Sequence, residues 1–236
     1  VISLIASTLF ITTLALFYSA TGTVNMAELA ERIPELPSGV RTGFSLLLIA
    51  VFGIKAGIFP LFFWLPDSYP TAPNAVTAIF AGLLTKVGVY AIIRTQLLLF
   101  PMDAQQGKLL LVVAGCTMVV GVLGALANDD LQRILSFHII SHIGYMIMGL
   151  GLFTLAGVAG AVFYVVHHIV VKTALFLVAG LIERKAGSDR LSRLGGMVRS
   201  APMIAVLYAL PALSIAGLPP FSGFVAKFAL VGAAIE

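Results

Sequence analysis

Charge is what this sequence has least of. Aspartate, glutamate, lysine and arginine make up 10% of 236 residues, and hydrophobic residues make up 60%, where a soluble domain carries roughly 25% charged residues. A soluble fold of this length could not cover its surface with 14 basic and 10 acidic side chains. Cysteine is nearly absent, Cys116 standing alone, which excludes a disulfide scaffold and leaves that residue as a small core filler. No Gly-X-Y repeat suggests collagen, and the apolar content excludes disorder. The net charge of +4 is not a nucleic-acid signal, because the basic residues are scattered rather than gathered in a run with aromatics. No signal peptide is visible. The class that remains is an integral membrane protein, its surroundings the lipid bilayer.

Seven long apolar segments can be marked: 1–21, 42–65, 74–97, 108–127, 131–153, 156–182 and one from 201 onward through Gly217-Leu218-Pro219-Pro220. They lack period-two alternation, and only helices and closed barrels span lipid, so they read as about seven transmembrane helices in an all-α protein. The expected organisation is a single transmembrane domain over 1–236, with loops at 22–41, 98–107 and 183–200. The sequence starts at Val1 and stops at Glu236 directly after apolar runs, which reads as part of a longer chain. Arg133, Arg184, Lys185, Arg190, Arg193 and Arg199 gather at one set of turns, and Arg32, Arg41, Arg94 and Lys108 at the other with three glutamates. That modest bias places the first set in the cytoplasm.

Two segments look broken. The segment 42–65 carries Gly53, Gly57 and Pro60 in its interior, and the last carries Pro211 and then Gly217, Pro219 and Pro220. Proline removes a helix hydrogen bond and clashes with the preceding turn. A pair of interrupted spans points to a transport site.

The informative residues are ionisable ones inside the spans. A charge at the bilayer centre costs at least about 2.5–3.5 kcal/mol, so each is a functional candidate. They are Lys55, Lys86, His138, His142, His167, His168, Lys172 and Lys227. At about 1.5 Å per residue, Lys55, Lys86, His142, His168 and Lys172 lie roughly 15–21 Å from their helix ends, near the midplane. Snorkelling to an interface works only close to helix ends and does not account for Lys55, Lys86 or Lys172. Lys227 lies beyond the break, toward the outer face. His138 and His142 share a helix face, as do His168 and Lys172, whereas His167 points about 100° from His168 and reads as packing.

Desolvated lysines and histidines gain and lose protons near neutral pH, so such groups form a candidate proton relay. His138 and His142 could begin a metal site, but no thiolate or deep carboxylate completes one, and no cofactor is expected. None of the carboxylates lies deep in a span, which disfavours a dehydrated sodium site. It also leaves the lysines without a counter-charge, to be supplied by missing sequence or another subunit. A retinal protein bound through Lys227 would need a buried carboxylate and is set aside. A non-conducting scaffold would tolerate leucine at the buried lysines.

Several stretches carry a family resemblance. Gly53-Ile54-Lys55-Ala56-Gly57 is followed by Phe59 to Pro73, with Asp67-Ser68-Tyr69-Pro70-Thr71-Ala72-Pro73 at the turn. Thr85-Lys86-Val87-Gly88-Val89-Tyr90, Asp130 to Leu135, Ile140 to Tyr145, His167 to Thr173 and Gly217 to Phe224 continue it. The chain resembles the proton-pumping membrane subunits of respiratory complex I and the multisubunit Mrp cation/proton antiporters, the D-type antiporter subunits in particular. The resemblance implies an inverted-repeat bundle larger than seven spans, with broken helices and a central axis of lysines and histidines. Lys55, Lys86, His142, His168 and Lys227 match its relay positions. Relatives of the complex I type often have glutamate where Lys227 stands. The family also carries a glutamate on a helix preceding the first segment, paired with the lysine matched by Lys55. The implied role is a proton-conducting subunit of a sodium/proton antiporter, a secondary transporter rather than an enzyme. It would sit in a prokaryotic plasma membrane with other membrane subunits as partners, handling protons and Na+ and not nucleic acid. The alternative is a pumping subunit of a complex I-like NADH–quinone oxidoreductase.

Overall fold

The computed structural model describes residues 2–101 and 104–235. Val1, Met102, Asp103 and Glu236 lie outside the described residues, and with them the expected start of the first segment and part of the 98–107 loop. The described residues form helices throughout: α1 Ile2–Thr21, α2 Met26–Arg32, α3 Ser38–Ala56, α4 Trp64–Ser68, α5 Asn74–Ile79, α6 Thr85–Leu99, α7 Ala104–Leu126, α8 Leu131–Gly151, α9 Leu155–Ala186, α10 Met197–Ser200, α11 Pro202–Ala216 and α12 Ser222–Ile235. A π-helical turn, Phe80–Leu84, joins α5 to α6, so that 74–99 forms one span.

Six helices are long and apolar enough to cross a membrane, and α11 and α12 are shorter apolar helices. They correspond to the seven expected segments, the last divided in two. Boundaries follow local chemistry. Asp130 caps α8 by accepting from the Arg133 N–H at 3.0 Å, and Thr154 caps α9 through the Gly157 N–H at 3.0 Å. The 22–41 connection contains α2, capped by Asn25. α9 continues through Ala186, so the first residues of the 183–200 connection are helical.

The breaks are sharper than the sequence suggests. The segment expected over 42–65 stops as a helix at Ala56, because Gly57 adopts φ 77°, a left-handed conformation that glycine enters without penalty, and its N–H caps Gly53 O. A stretch of turns then leads to α4. Gly217, at φ 91°, ends α11 in the same way, ahead of Pro219 and Pro220. The π-turn at 80–84 is a third interruption, one that the sequence pattern does not signal.

α8 is the structural centre, with 72% of its span buried against 17% for α1. Its neighbours come close because small residues face each other. A Cβ at Gly121 of α7 would collide with the Ser141 backbone nitrogen of α8, and one at Gly88 of α6 would lie 2.6 Å from the Ala56 nitrogen of α3. α9 packs along α8, α5, α11 and α12 together. At one end of the bundle three turns are tied. Gln132 donates to Asn74 Oδ1 at 2.7 Å and to Glu183 Oε2 at 3.1 Å, Asn74 donates to Glu183 at 2.9 Å, and Arg133 pairs with Asp67 at 2.6 Å. The turns grouped together by their basic residues therefore share one end.

Candidate functional site

Four of the singled-out groups are buried together. Lys172 and His168 are fully buried, one turn apart on α9, and His142 of α8 and Lys86 of α6 are nearly so. Lys86 follows the π-turn directly, and its Nζ donates to Ala81 O within it. Gly82 within that turn lies against Thr173 of α9, where a Cβ would collide with the hydroxyl oxygen. Lys172 Nζ donates to Leu135 O of α8 at 3.2 Å. The charge of Lys172 acts on Lys86, His168, His138 and His142, and that of Lys86 on His168.

The histidines form a graded file. The rings of His168 and His142 are 5.3 Å apart, and those of His142 and His138 are 6.2 Å apart. Neither ring nitrogen of His168 has a hydrogen-bond partner among the described residues. His142 Nδ1 lies 2.5 Å from the Tyr164 hydroxyl, and Tyr164 is itself fully buried. His138 is half-buried at the rim of a cavity of about 300 Å³ that Lys227 lines from the other side. Lys227 Nζ donates to Ala216 O at 3.0 Å, at the end of α11, and sits 5.7 Å from the centre of the Tyr145 ring. Lys227 thus turns back from α12 toward the same file rather than standing apart from it.

Lys55 is placed differently. The sequence puts it within a segment read as broken; it stands in the last turn of α3, just ahead of that break, exposed, and lines a separate cavity of about 450 Å³ with Ile2, Ser3, Ala6, Trp64 and Ser68. The early stop of the helix at Gly57 is the reason. The Trp64 indole, bonded to Ile54 O at 2.8 Å, folds the chain after the break against this turn. The other helix-break residues sit where the chain leaves helix: Pro60 between α3 and α4, and Pro219 and Pro220 between α11 and α12.

Sequence reasoning passed over three features here. His167, read as packing, has Nδ1 2.9 Å from the Ser222 hydroxyl at the start of α12, so it touches the second break. Tyr145, Tyr164 and Tyr208 line or bridge the file; an i, i+4 scan that included tyrosine with histidine would have picked out Tyr164 beside His168. Gly223 permits the two halves of the last segment to touch, since a Cβ there would run into Ser214 O. Among the described residues no three metal-ligating side chains come together.

Broken helices around a buried basic file define a multi-span helical membrane protein of the interrupted-helix kind. Comparison places it further. The family described as NADH:quinone oxidoreductase/Mrp antiporter, transmembrane, matches residues 1–236, and the chain belongs to it. It is 50% identical over 236 residues to the D-type subunit of the Na(+)/H(+) antiporter of Alkalihalophilus pseudofirmus, covering 99% of this chain and 48% of that one. The Mrp complex from Dietzia sp. DQ12-45-1b contains a chain that superposes with a TM-score of 0.93 at 41% identity, over 99% of this chain and 43% of that one. A chain of respiratory complex I from Thermus thermophilus superposes with a TM-score of 0.88 at 28% identity, over 98% of this chain and 50% of that one. The chain spans about half the length of the curated relatives it matches.

Proposed function

We propose that this chain forms the proton-conducting half of a D-type subunit in a sodium/proton antiporter of the prokaryotic cell membrane, working with other membrane subunits. The observation that carries the reading is the buried file Lys86, Lys172, His168 and His142, open at one end to His138 and Lys227, with no carboxylate among them. Such groups cannot all hold protons at once. Two unit charges 4 Å apart repel by about 4 kcal/mol at an effective dielectric of 20, so a proton arriving at one group drives a proton off the next. In this mechanism Lys86 receives the proton, Lys172 and His168 pass it to His142, and Tyr164 holds the His142 ring in orientation. His138 and Lys227 deliver it to the cavity at the second break. Lys55, outside the file, acts as an entry group whose state is relayed to Lys86 across the α3–α6 contact at Gly88. The six-residue basic cluster marks the cytoplasmic face.

The family also includes redox-driven pumps, and the same file would serve a complex I-like oxidoreductase. The 50% identity to an antiporter protein favours exchange. Membrane vesicles carrying the assembled complex separate the two readings. A sodium pulse is expected to move protons without NADH. Proton movement that appears only with NADH would establish the redox-driven reading instead.

A further inference from the structure

Lys227 has two tasks at the second break. Its Nζ donates to Ala216 O at 3.0 Å, joining α12 to the end of α11, and in the path proposed above it also takes up and gives up a proton. A neutral amine is a weaker donor than an ammonium, so this junction loosens when Lys227 is discharged unless another contact holds it. His167 of α9 is placed to do so. It is buried, and its Nδ1 lies 2.9 Å from the hydroxyl of Ser222, the first residue of α12. The Ser222 hydroxyl in turn lies 3.5 Å from that of Ser214, near the end of α11. The other ring nitrogen, Nε2, is buried without a partner among the described residues. It faces Gly223, where a Cβ would come within 3.1 Å of it. The Tyr164 ring meets the imidazole edge-on, with centroids 5.8 Å apart.

The two nitrogens settle the tautomer. With its proton on Nδ1 the imidazole donates to Ser222 and leaves only a lone pair over Gly223. Any form with a proton on Nε2 buries an N–H that has no acceptor, which is the costlier arrangement. A relay histidine needs a proton-exchanging neighbour at each nitrogen, and His167 has one at Nδ1 alone. We infer that His167 is a positioning residue for proton transfer at the second break. Through its bond to Ser222 it keeps the start of α12 against α11, and so keeps Lys227, five residues further along α12, within reach of the file while Lys227 changes charge. The charged and titratable groups around the imidazole are Lys227 from α12, His142 from α8, and Tyr164 and His168 on α9 itself; α11 presents the Ser214 hydroxyl. No carboxylate among them competes with Ser222 for the Nδ1 proton. The tie stands on these contacts; its effect on exchange rests on the proton path proposed above.

Amide hydrogen–deuterium exchange of the purified full antiporter complex reads the tie directly. The Phe221 and Phe224 N–H groups close the turn onto Leu218 O and Phe221 O, at 3.0 and 3.1 Å. Deuterium uptake in peptides covering 214–227 is expected to rise about three- to tenfold in Ser222→Ala and in His167→Phe, the loss of one hydrogen bond. It is expected to stay near wild type in His167→Asn, whose amide N–H takes the place of Nδ1–H. Wild-type uptake in Ser222→Ala would overturn the tie, whether or not His167→Phe assembles. In vesicles, over a sodium series and several pH values, Ser222→Ala and His167→Phe are expected to lower the maximal rate several-fold without moving the sodium concentration for half-maximal rate. His167→Asn is expected to keep the wild-type rate and pH profile. Loss of exchange in His167→Asn with wild-type uptake would make His167 a proton carrier and overturn the positioning role. Raised uptake in Ser222→Ala with undiminished exchange would overturn its part in transport. Wild-type proton signals from the Lys86 and Lys172 variants would remove the proposed path and leave the uptake result standing.

Discussion

At the scale of single residues, the distinction that matters is between a basic group that is buried and one that only lies in an apolar stretch. Lys172, with its buried ammonium bonded to a backbone carbonyl, and Lys55, exposed in the last turn of its helix, look equivalent in the sequence. Tyr164→Phe removes the hydroxyl that meets His142 Nδ1 and leaves that nitrogen unpaired at a cost of about 1–3 kcal/mol. The expected result is a several-fold slower exchange in an assembled complex, with the slowing concentrated in the maximal rate rather than in the sodium concentration for half-maximal rate. Vesicle assays over a sodium series check it. Equal rates would mean that Tyr164 does no more than fill space. Tyr164 and His167 were hard to find because aromatic residues on an apolar helix are ordinarily packing; the i, i+4 spacing sets Tyr164 beside His168 but does not show that its hydroxyl reaches His142 on the next helix.

At the scale of elements, the breaks organise the site. Glycine in the left-handed region ends α3 and α11, and the proline-rich turn that follows each cannot resume the same helix. The presence of both breaks was legible from Gly57, Pro60, Gly217, Pro219 and Pro220. Their sharpness was not, because periodicity alone carries the apolar pattern of 42–65 straight through the turn. The π-turn at Phe80–Leu84 was illegible for a different reason: nothing in Phe-Ala-Gly-Leu-Leu departs from ordinary helix chemistry, and the turn is met by a tertiary contact, Gly82 against Thr173, and by a local one, the Lys86 ammonium on Ala81 O. Gly223→Ala tests the second break. Its new Cβ would collide with the Ser214 carbonyl, a backbone atom that cannot rotate away, so α11 and α12 must part. A loss of about 1–3 kcal/mol is expected, read as a lower melting temperature of the complex. Gly232→Ala, where a Cβ meets nothing within 4 Å, is the matched control and is expected to change nothing.

At the scale of the whole molecule, one end is fastened by polar contacts and the interior by close helix packing. The Gln132–Asn74–Glu183 network ties α8, α5 and α9. Glu183→Ala removes an acceptor that serves two amides and is expected to lower the melting temperature while leaving exchange per assembled complex near the wild-type rate. The exposed Arg133–Asp67 pair is worth at most about 1 kcal/mol. The same end holds a pH-dependent term. Partial burial, then the hydrogen bond and charge of Asp130, hold the Asp189 carboxyl above its ordinary range. A carboxyl raised in the folded state contributes stability at acidic pH and loses it as pH rises through its folded value. Asp189→Asn is therefore expected to raise the melting temperature at neutral and alkaline pH, with the gain vanishing below about pH 4, where the unfolded carboxyl is protonated. Thermal scans of the complex across pH check the sign.

The buried basic file is the centre of the account, and proton flux through it is its most direct test. Lys86→Leu and Lys172→Leu keep the side-chain bulk and remove the charge without creating a polar void, so assembly is expected to survive. With the full complex in vesicles and assembly verified by native gel, a sodium pulse is expected to give a proton signal at least about tenfold smaller than wild type in each variant, a barrier increase of about 1.4 kcal/mol or more. Wild-type proton signals from both assembled variants would contradict the account.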